Sequence, residues 1–372
     1  MTNLTLPPGL LDRKNVIAWP VLQRTIEASV PSPSAPVSYW QRLANQLRQP
    51  IGLGREALPP GVYILVYHSV VDPENRREWE RYYRKGEVSV SRFASQLDAM
   101  LEWMTPIALS ELPTLWQRGG PEQPRFAVTF DDGLRNNLHL AHPVLKARGI
   151  RPTVFVNAAF AEGREVLFRV LAAVLTGSGC AAPLAAALRS SLPQIPWSED
   201  PTQLFNQTKG FYHVHLMERI VHQIYRELRG DPAELRVHLN VAEIMHLQRE
   251  GWEIANHTAD HRILSCLNRA EVTQTVVSNA AFWQNQGIDL IPCLGYPFGL
   301  AADVNRAVYD HLLENPTLHG FFAGGGVNLI DNRTEWLRFS LGQAATQQGV
   351  MAVLKGEVVR TRSAFAHILS VQ

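Results

Sequence analysis

From residue 61 onward, short apolar runs alternate with amphipathic stretches of helical period, and this alternation restricts the chain to few architectures. The runs "VYILVYHS" (62–69), "FAVTFDD" (126–132), "PTVFVN" (152–157), "WEIANHT" (252–258), "LIPCLGYP" (290–297), "HGFFAG" (319–324) and "EWLRFSLG" (335–342) read as strands. Stretches near 91–104, 136–149, 240–250, 269–286, 301–314 and 343–355 read as helices. Strands and helices in alternation predict an α/β fold, a parallel sheet or a barrel. Residues 161–239 break the rhythm. There "VLFRVLAAVLTG", "APLAAALRSSL" and "FYHVHLMERIVHQIYREL" carry helical period and little strand character, so a helical insertion between two barrel strands is expected. Residues 1–60, with several prolines and a helical stretch near 38–49, are expected to form an N-terminal extension to a main body at 61–372.

Composition narrows the partners. Hydrophobic residues make up 46% of the chain and the formal net charge is +1, a balance that gives no electrostatic case for nucleic acid or an acidic membrane surface. Cys180, Cys266 and Cys293 are odd in number and far apart, which argues against a disulfide framework and a thiolate zinc site. No run of about eighteen apolar residues appears, so no membrane span is expected. Pro7, Pro8 and Gly9 fall where a secretory signal would carry its apolar core, and a cytoplasmic protein is the expectation.

Chemistry concentrates in two short stretches. In "FAVTFDDG" (126–133) an apolar strand runs straight into Asp131 and Asp132. Strand carboxyl ends carry the sites of parallel α/β folds, and two adjacent carboxylates there repel each other unless a cation compensates them. An Asp-Gly turn capping the next helix reads equally well. In "ANHTADH" (255–261), His257 and His261 are four apart, so a helical turn would point both imidazoles the same way. Such a pair alone is an ordinary accident in a chain with 13 histidines. Taken together, two His and one Asp make a three-ligand set with open positions, and the second Asp is free to act as a base. The donor types suit zinc, and also iron, cobalt or nickel.

"TFDDG" followed downstream by "HTADH" resembles the polysaccharide deacetylase family, also called the NodB homology or carbohydrate esterase family four. The resemblance spans roughly residues 61–342. It implies a distorted (β/α) barrel and metal-dependent removal of acetyl groups from N-acetylated sugars. Asp131 would be the base, and Asp132, His257 and His261 would hold a divalent metal. "GYPFG" (295–299) is similar to the family's third motif, a wall of the substrate groove, which points to Tyr296, Pro297 and Phe298 as substrate contacts, with plain core residues as the other reading. The motif's usual arginine, which orients the base, is replaced by Gly295; Arg338 in "WLRFSLG" is a candidate substitute, with a plain ion pair as the other reading. "ILVYHS" places His68 ahead of the Asp motif, as in the permuted branch that includes bacterial exopolysaccharide deacetylases, where that histidine would protonate the leaving amine; a satisfied buried histidine is the other reading.

The expected substrate is thus an N-acylated small molecule or oligosaccharide. An amidase or deformylase acting on a non-sugar intermediate is the alternative, and a non-catalytic carbohydrate-binding relative is a third. His139, His142, His213, His215 and His222 read as helix-surface or packing residues, and "AGGGVN" (323–328) as a loop, not a phosphate cradle.

Overall fold

The computed structural model describes residues 58–208, 214–329, 331 and 333–371. The expected helix near 38–49 and His213 lie outside these residues. Ten strands are present among them: β1 (Val62–Tyr67), β2 (Ser69–Val71), β3 (Glu87–Ser89), β4 (Thr105–Pro106), β5 (Arg125–Phe130), β6 (Thr153–Val156), β7 (Glu253–Asn256), β8 (Ile291–Gly295), β9 (His319–Phe321) and β10 (Arg338–Phe339). Seven pair in parallel in the order β10-β1-β5-β6-β7-β8-β9. The short β4 adds to β5 at Thr105 and Pro106. The ends of the sheet meet where Phe321 bridges Trp336, with Trp336 N–H donating to Gly320 O at 2.8 Å and Phe322 N–H to Trp336 O at 2.9 Å. The sheet therefore curls into a nearly closed, distorted (β/α) barrel, as the strand–helix alternation implied.

Because strand side chains alternate, each barrel strand sends one set inward and one outward. Ile64, Ala127, Phe155, Ala255, Cys293, Phe321 and Trp336 share one cluster and fill the barrel, whose floor is plugged by Leu109 and Leu112. The alternate set, including Leu65, Tyr67, Val128, Phe130, Val154 and Ile254, packs under the surrounding helices. Both faces of the sheet are covered, which is why the parallel strands read as continuous apolar runs. The inward parity continues past the strand ends. In β1, β5 and β7 it reaches His68, Asp131 and His257, and in β10 it begins at Arg338. These polar residues sit on top of the apolar plug.

Helices wrap the outside, and their starts follow from local capping. Asn240 and Glu243 box the start of the helix Val241–Arg249, and Asn268 and Glu271 that of Arg269–Asn285. Between β6 and β7 the helices Phe168–Gly177, Ala181–Ser191, Pro201–Gln207 and Val214–Arg229 form a second core. Phe168–Gly177 is apolar almost all round and is enclosed by the others, as such a helix must be.

Three expectations need correction. The helix foreseen over 136–149 is a wide π-type turn at Asn137–Ala141 followed by His142–Lys146, because Pro143 has no N–H to give to the preceding turn. The last helix, foreseen at 343–355, runs over Gln347–Val371. The strand foreseen to 69 leaves the barrel after Tyr67, and Ser69–Val71 pairs instead with β3 in a separate ribbon. No helix among the described residues is long and apolar enough to cross a membrane.

Candidate metal centre and its neighbouring base

Asp131 directly follows β5 and extends its pairing, since its N–H donates to Tyr67 O at 3.0 Å. The chain then turns sharply at Asp132 (φ 67°) and Gly133 (φ 55°). A left-handed conformation is unfavourable for a residue with a Cβ, so something must hold Asp132 there. The strap Val237–Leu239 does so: Leu239 N–H donates to Gly133 O, and Arg135 N–H to Val237 O. His238 Nδ1 lies 2.8 Å from Asp132 O, while its Nε2 accepts from Leu167 N–H at 3.1 Å. That second bond fixes the tautomer, so Nδ1 carries the proton and donates to Asp132. Burial keeps this imidazole neutral by lowering its pKa to about 4.

The two histidines converge by a different route from the expected helical turn. Residues 257–261 form a loop with Thr258 and His261 both in the left-handed region (φ 67° and 56°). Asn256 Oδ1 accepts from Thr258 N–H, Thr258 Oγ1 accepts from His261 N–H, and Asn157 Nδ2 donates to the carbonyls of His257 and Thr258. Asn279 ties Asn256 to β6 from behind. This side-chain scaffold folds the loop back on itself and brings the imidazoles together, with ring centroids 4.9 Å apart.

Asp132 Oδ1 stands 3.4 Å from His257 Nε2 and 3.1 Å from His261 Nε2. One ligand atom from each residue lies within 4.8 Å of the other two. His257 Nδ1 lies 2.8 Å from the carbonyl oxygen of Gly295 and so carries the proton, which leaves Nε2 as a bare lone pair. Asp132 Oδ1 is buried and receives no hydrogen bond. A carboxylate oxygen facing an unprotonated imidazole nitrogen is a repulsive pairing in the absence of a cation, and the donor set fits a divalent metal.

Asp131 is in a different environment. Arg338 grips it through Nη1–Oδ1 at 2.6 Å and Nη2–Oδ2 at 2.9 Å. The guanidinium is wholly buried, donates through Nε to Phe322 O and through Nη1 to Thr129 Oγ1, and lies over the Phe155 ring. Burial would raise the Asp131 pKa; Arg338, then His257 and His68, turn the balance and leave it lowered. Position 295 cannot supply this arginine, because a Cβ there would sit 2.8 Å from the Phe155 ring and 3.1 Å from His257 Nδ1.

His68 is half-buried at the end of β1, and its carbonyl accepts from Asn137 Nδ2. Gly86 lies against the imidazole, where a Cβ would come within 3.4 Å of Nδ1. Burial lowers the His68 pKa, and the charges of Asp132 and Asp131 both oppose that shift.

The expected substrate contacts fare unequally. Tyr296 is fully buried, donates to Thr334 O at 2.7 Å and packs edge-on to Phe322, so its ring offers no face to a sugar. Pro297 is also buried. Phe298, half-exposed at φ 63°, lies 5.0 Å from His261. Sequence reasoning missed His238, which carries no local signal because it reaches the site from an irregular segment.

No protein-family model and no curated protein matches the chain. Solved structures do. A Streptococcus pyogenes deacetylase, PplD, in complex with acetate superposes with a TM-score of 0.51 at 14% identity, over 80% of this chain and 99% of that one. A de-N-acetylase from Aggregatibacter actinomycetemcomitans superposes with a TM-score of 0.50 at 14% identity, over 78% and 98%. The chain therefore has the distorted (β/α) barrel fold of the polysaccharide deacetylases.

Proposed function

We propose that the protein is a metal-dependent hydrolase that removes an acetyl or other small acyl group from the nitrogen of an N-acylated sugar or sugar conjugate. One observation carries this reading: two neighbouring carboxylates in opposite environments, Asp131 clamped by a guanidinium and Asp132 facing two imidazoles with no donor on its oxygen. Asp132, His257 and His261 would hold the metal, zinc by donor type, with iron, cobalt or nickel also suited. When bound, such an ion polarises an acyl oxygen and lowers the pKa of a water from about 15.7 to about 7 in the best cases.

The remaining chemistry belongs to side chains. Asp131, kept ionised by Arg338, accepts the proton of the attacking water. Arg338 fixes both carboxylate oxygens, which sets the direction from which that proton arrives. His68 gives a proton to the departing nitrogen, which an amide requires because its nitrogen leaves poorly as an anion. Phe298 borders the site on the His261 side. The acetate complex of the streptococcal deacetylase and the de-N-acetylase name of the second neighbour support an acetyl group on nitrogen as the target.

Chelator-stripped protein titrated with zinc, cobalt or nickel tests the centre, and acetate release from N-acetylglucosamine oligomers tests the reaction. Asp132→Ala is expected to abolish metal uptake. Asp131→Asn is expected to keep the metal and to slow acetate release by about 10²- to 10⁴-fold. Failure of the wild-type protein to take up any divalent ion would overturn the reading.

A further inference from the structure

His68 sits where β1 stops being a barrel strand. Tyr67 pairs with Phe130, and Tyr67 O accepts from Asp131 N–H, so His68 and Asp131 are the next neighbours across the two strands. One residue later the chain has left the barrel, with Ser69 paired to Glu87 in the separate ribbon. Such a break strands backbone groups that the ladder would have satisfied, and buried ones must find partners elsewhere.

The partners come from one side chain. Asn137 Nδ2 donates to His68 O at 2.8 Å, and Asn137 Oδ1 accepts from Val70 N–H at 3.4 Å. A single, wholly buried amide thus spans the kink. Its neighbour Asn136 donates to Ser69 Oγ at 2.7 Å and to Glu80 Oε1 at 3.1 Å. No hydrogen bond to the imidazole itself is present among the described residues, so the aim of the ring follows from the backbone under it. Asn137 opens the wide π-type turn Asn137–Ala141, an irregularity of the kind that often accompanies functional sites. It also follows Asp131 by six positions. The proton acceptor and the clamp under His68 therefore belong to one short stretch, tied to β1 at Tyr67 O and to the residue after it at His68 O.

We propose that Asn137 is a positioning residue that fixes the backbone at His68 and so holds the imidazole beside Asp131 at the barrel mouth. This rests on the deacylase reading. In that reaction the C–N bond breaks, the nitrogen takes the imidazolium proton and leaves as an amine, and His68 is left neutral.

The test separates chemistry that needs an acid from chemistry that does not. With zinc-loaded protein, acetate release from N-acetylglucosamine oligomers is compared with hydrolysis of 4-nitrophenyl acetate, whose leaving group departs without a proton. Asn137→Asp keeps the acceptor for Val70 N–H and removes the donor to His68 O. It is expected to lower kcat on the amide about 10- to 100-fold, with KM, zinc affinity and ester hydrolysis within about threefold of wild type. In a His68→Gln background the same substitution is expected to cost almost nothing more, because both act through one group. An equal loss on amide and ester, a loss that adds in full to that of His68→Gln, or an unchanged amide rate overturns the proposal. Asn137→Ser is read in the same assays if the aspartate variant does not fold. Wild-type protein that cleaves the ester but no N-acyl compound overturns the deacylase reading, and a spectroscopic signature then decides on Asn137. With isotopically labelled histidine, the His68 Cε1 resonance, assigned through His68→Gln, is expected to shift on Asp131→Asn and to stay in place on Asp131→Asn once Asn137→Ser is present. Identical shifts in the two backgrounds overturn the positioning role.

Discussion

Replacing Arg338 with methionine isolates what the buried guanidinium does for Asp131. Methionine fills much of the same space but donates nothing. Asp131 would lose both hydrogen bonds to Arg338, at 2.6 and 2.9 Å, and remain in a site that is 2% exposed. Breaking one partner out of a buried pair costs about 3–5 kcal/mol, because the other charge stays behind. The pH dependence follows from signs. In the wild-type fold the Asp131 pKa lies below its usual value of about 3.9, so the pair contributes stability that is present above about pH 4 and lost as pH falls through the folded value. In Arg338→Met, burial dominates and the folded pKa rises above the ordinary one. Acidification from pH 7 then relieves the penalty instead of adding to it. Urea unfolding of chelator-stripped protein, followed by tryptophan fluorescence, should show a gap between the two proteins that is widest at pH 7 and narrows toward about pH 4.5. A gap below about 1 kcal/mol at pH 7, or one that stays constant with pH, refutes the reasoning.

Other substitutions probe the surrounding shell. Gly295→Ala drives a methyl into Phe155 and His257, so a loss of about 1–3 kcal/mol in stability and about 10- to 100-fold in zinc affinity is expected; a competition titration matching wild type would refute it. His238→Asn keeps a donor for Asp132 O but cannot take up a proton. His238 is neutral in the fold down to about pH 4 against about 6.5 when unfolded, so it contributes stability present above about pH 6.5 and lost as pH falls toward 4. The stripped variant should therefore lose less stability across that window, by up to about 3 kcal/mol, and parallel pH curves for the two proteins would sink the idea. Tyr296→Phe removes the buried hydrogen bond to Thr334 O and should cost about 1 kcal/mol while leaving acetate release unchanged; a large fall in kcat at full stability would return Tyr296 to the site.

The barrel was readable because each strand is an uninterrupted apolar run and each helix has its own period, both local properties. The Asp pair and the His pair were readable for a related reason, since each lies within a few residues of a strand end. How the histidines converge was not readable: spacing by four suggested a helical turn, whereas Asn157, Asn256 and Asn279 build a left-handed loop from three separate elements. Arg338 was identified as arriving from a later strand, but its wholly buried, bidentate grip depends on barrel closure. Tyr296 misled because an aromatic just past a strand end serves a groove wall or a core equally well, and only the position of Thr334 separates them. His238 acts through a segment with no period of its own, so nothing near it in the chain announces its neighbours.

The strand that supplies Arg338 is the last of the barrel in chain order, and it meets Asp131 across 207 positions of chain. A polypeptide cut short before β10 would own all three metal-ligand candidates and still lack the guanidinium that grips Asp131, the proposed proton acceptor. On the proposed function, catalysis would therefore await closure of the barrel by β10, and a product truncated before that strand would lack the partner of its base.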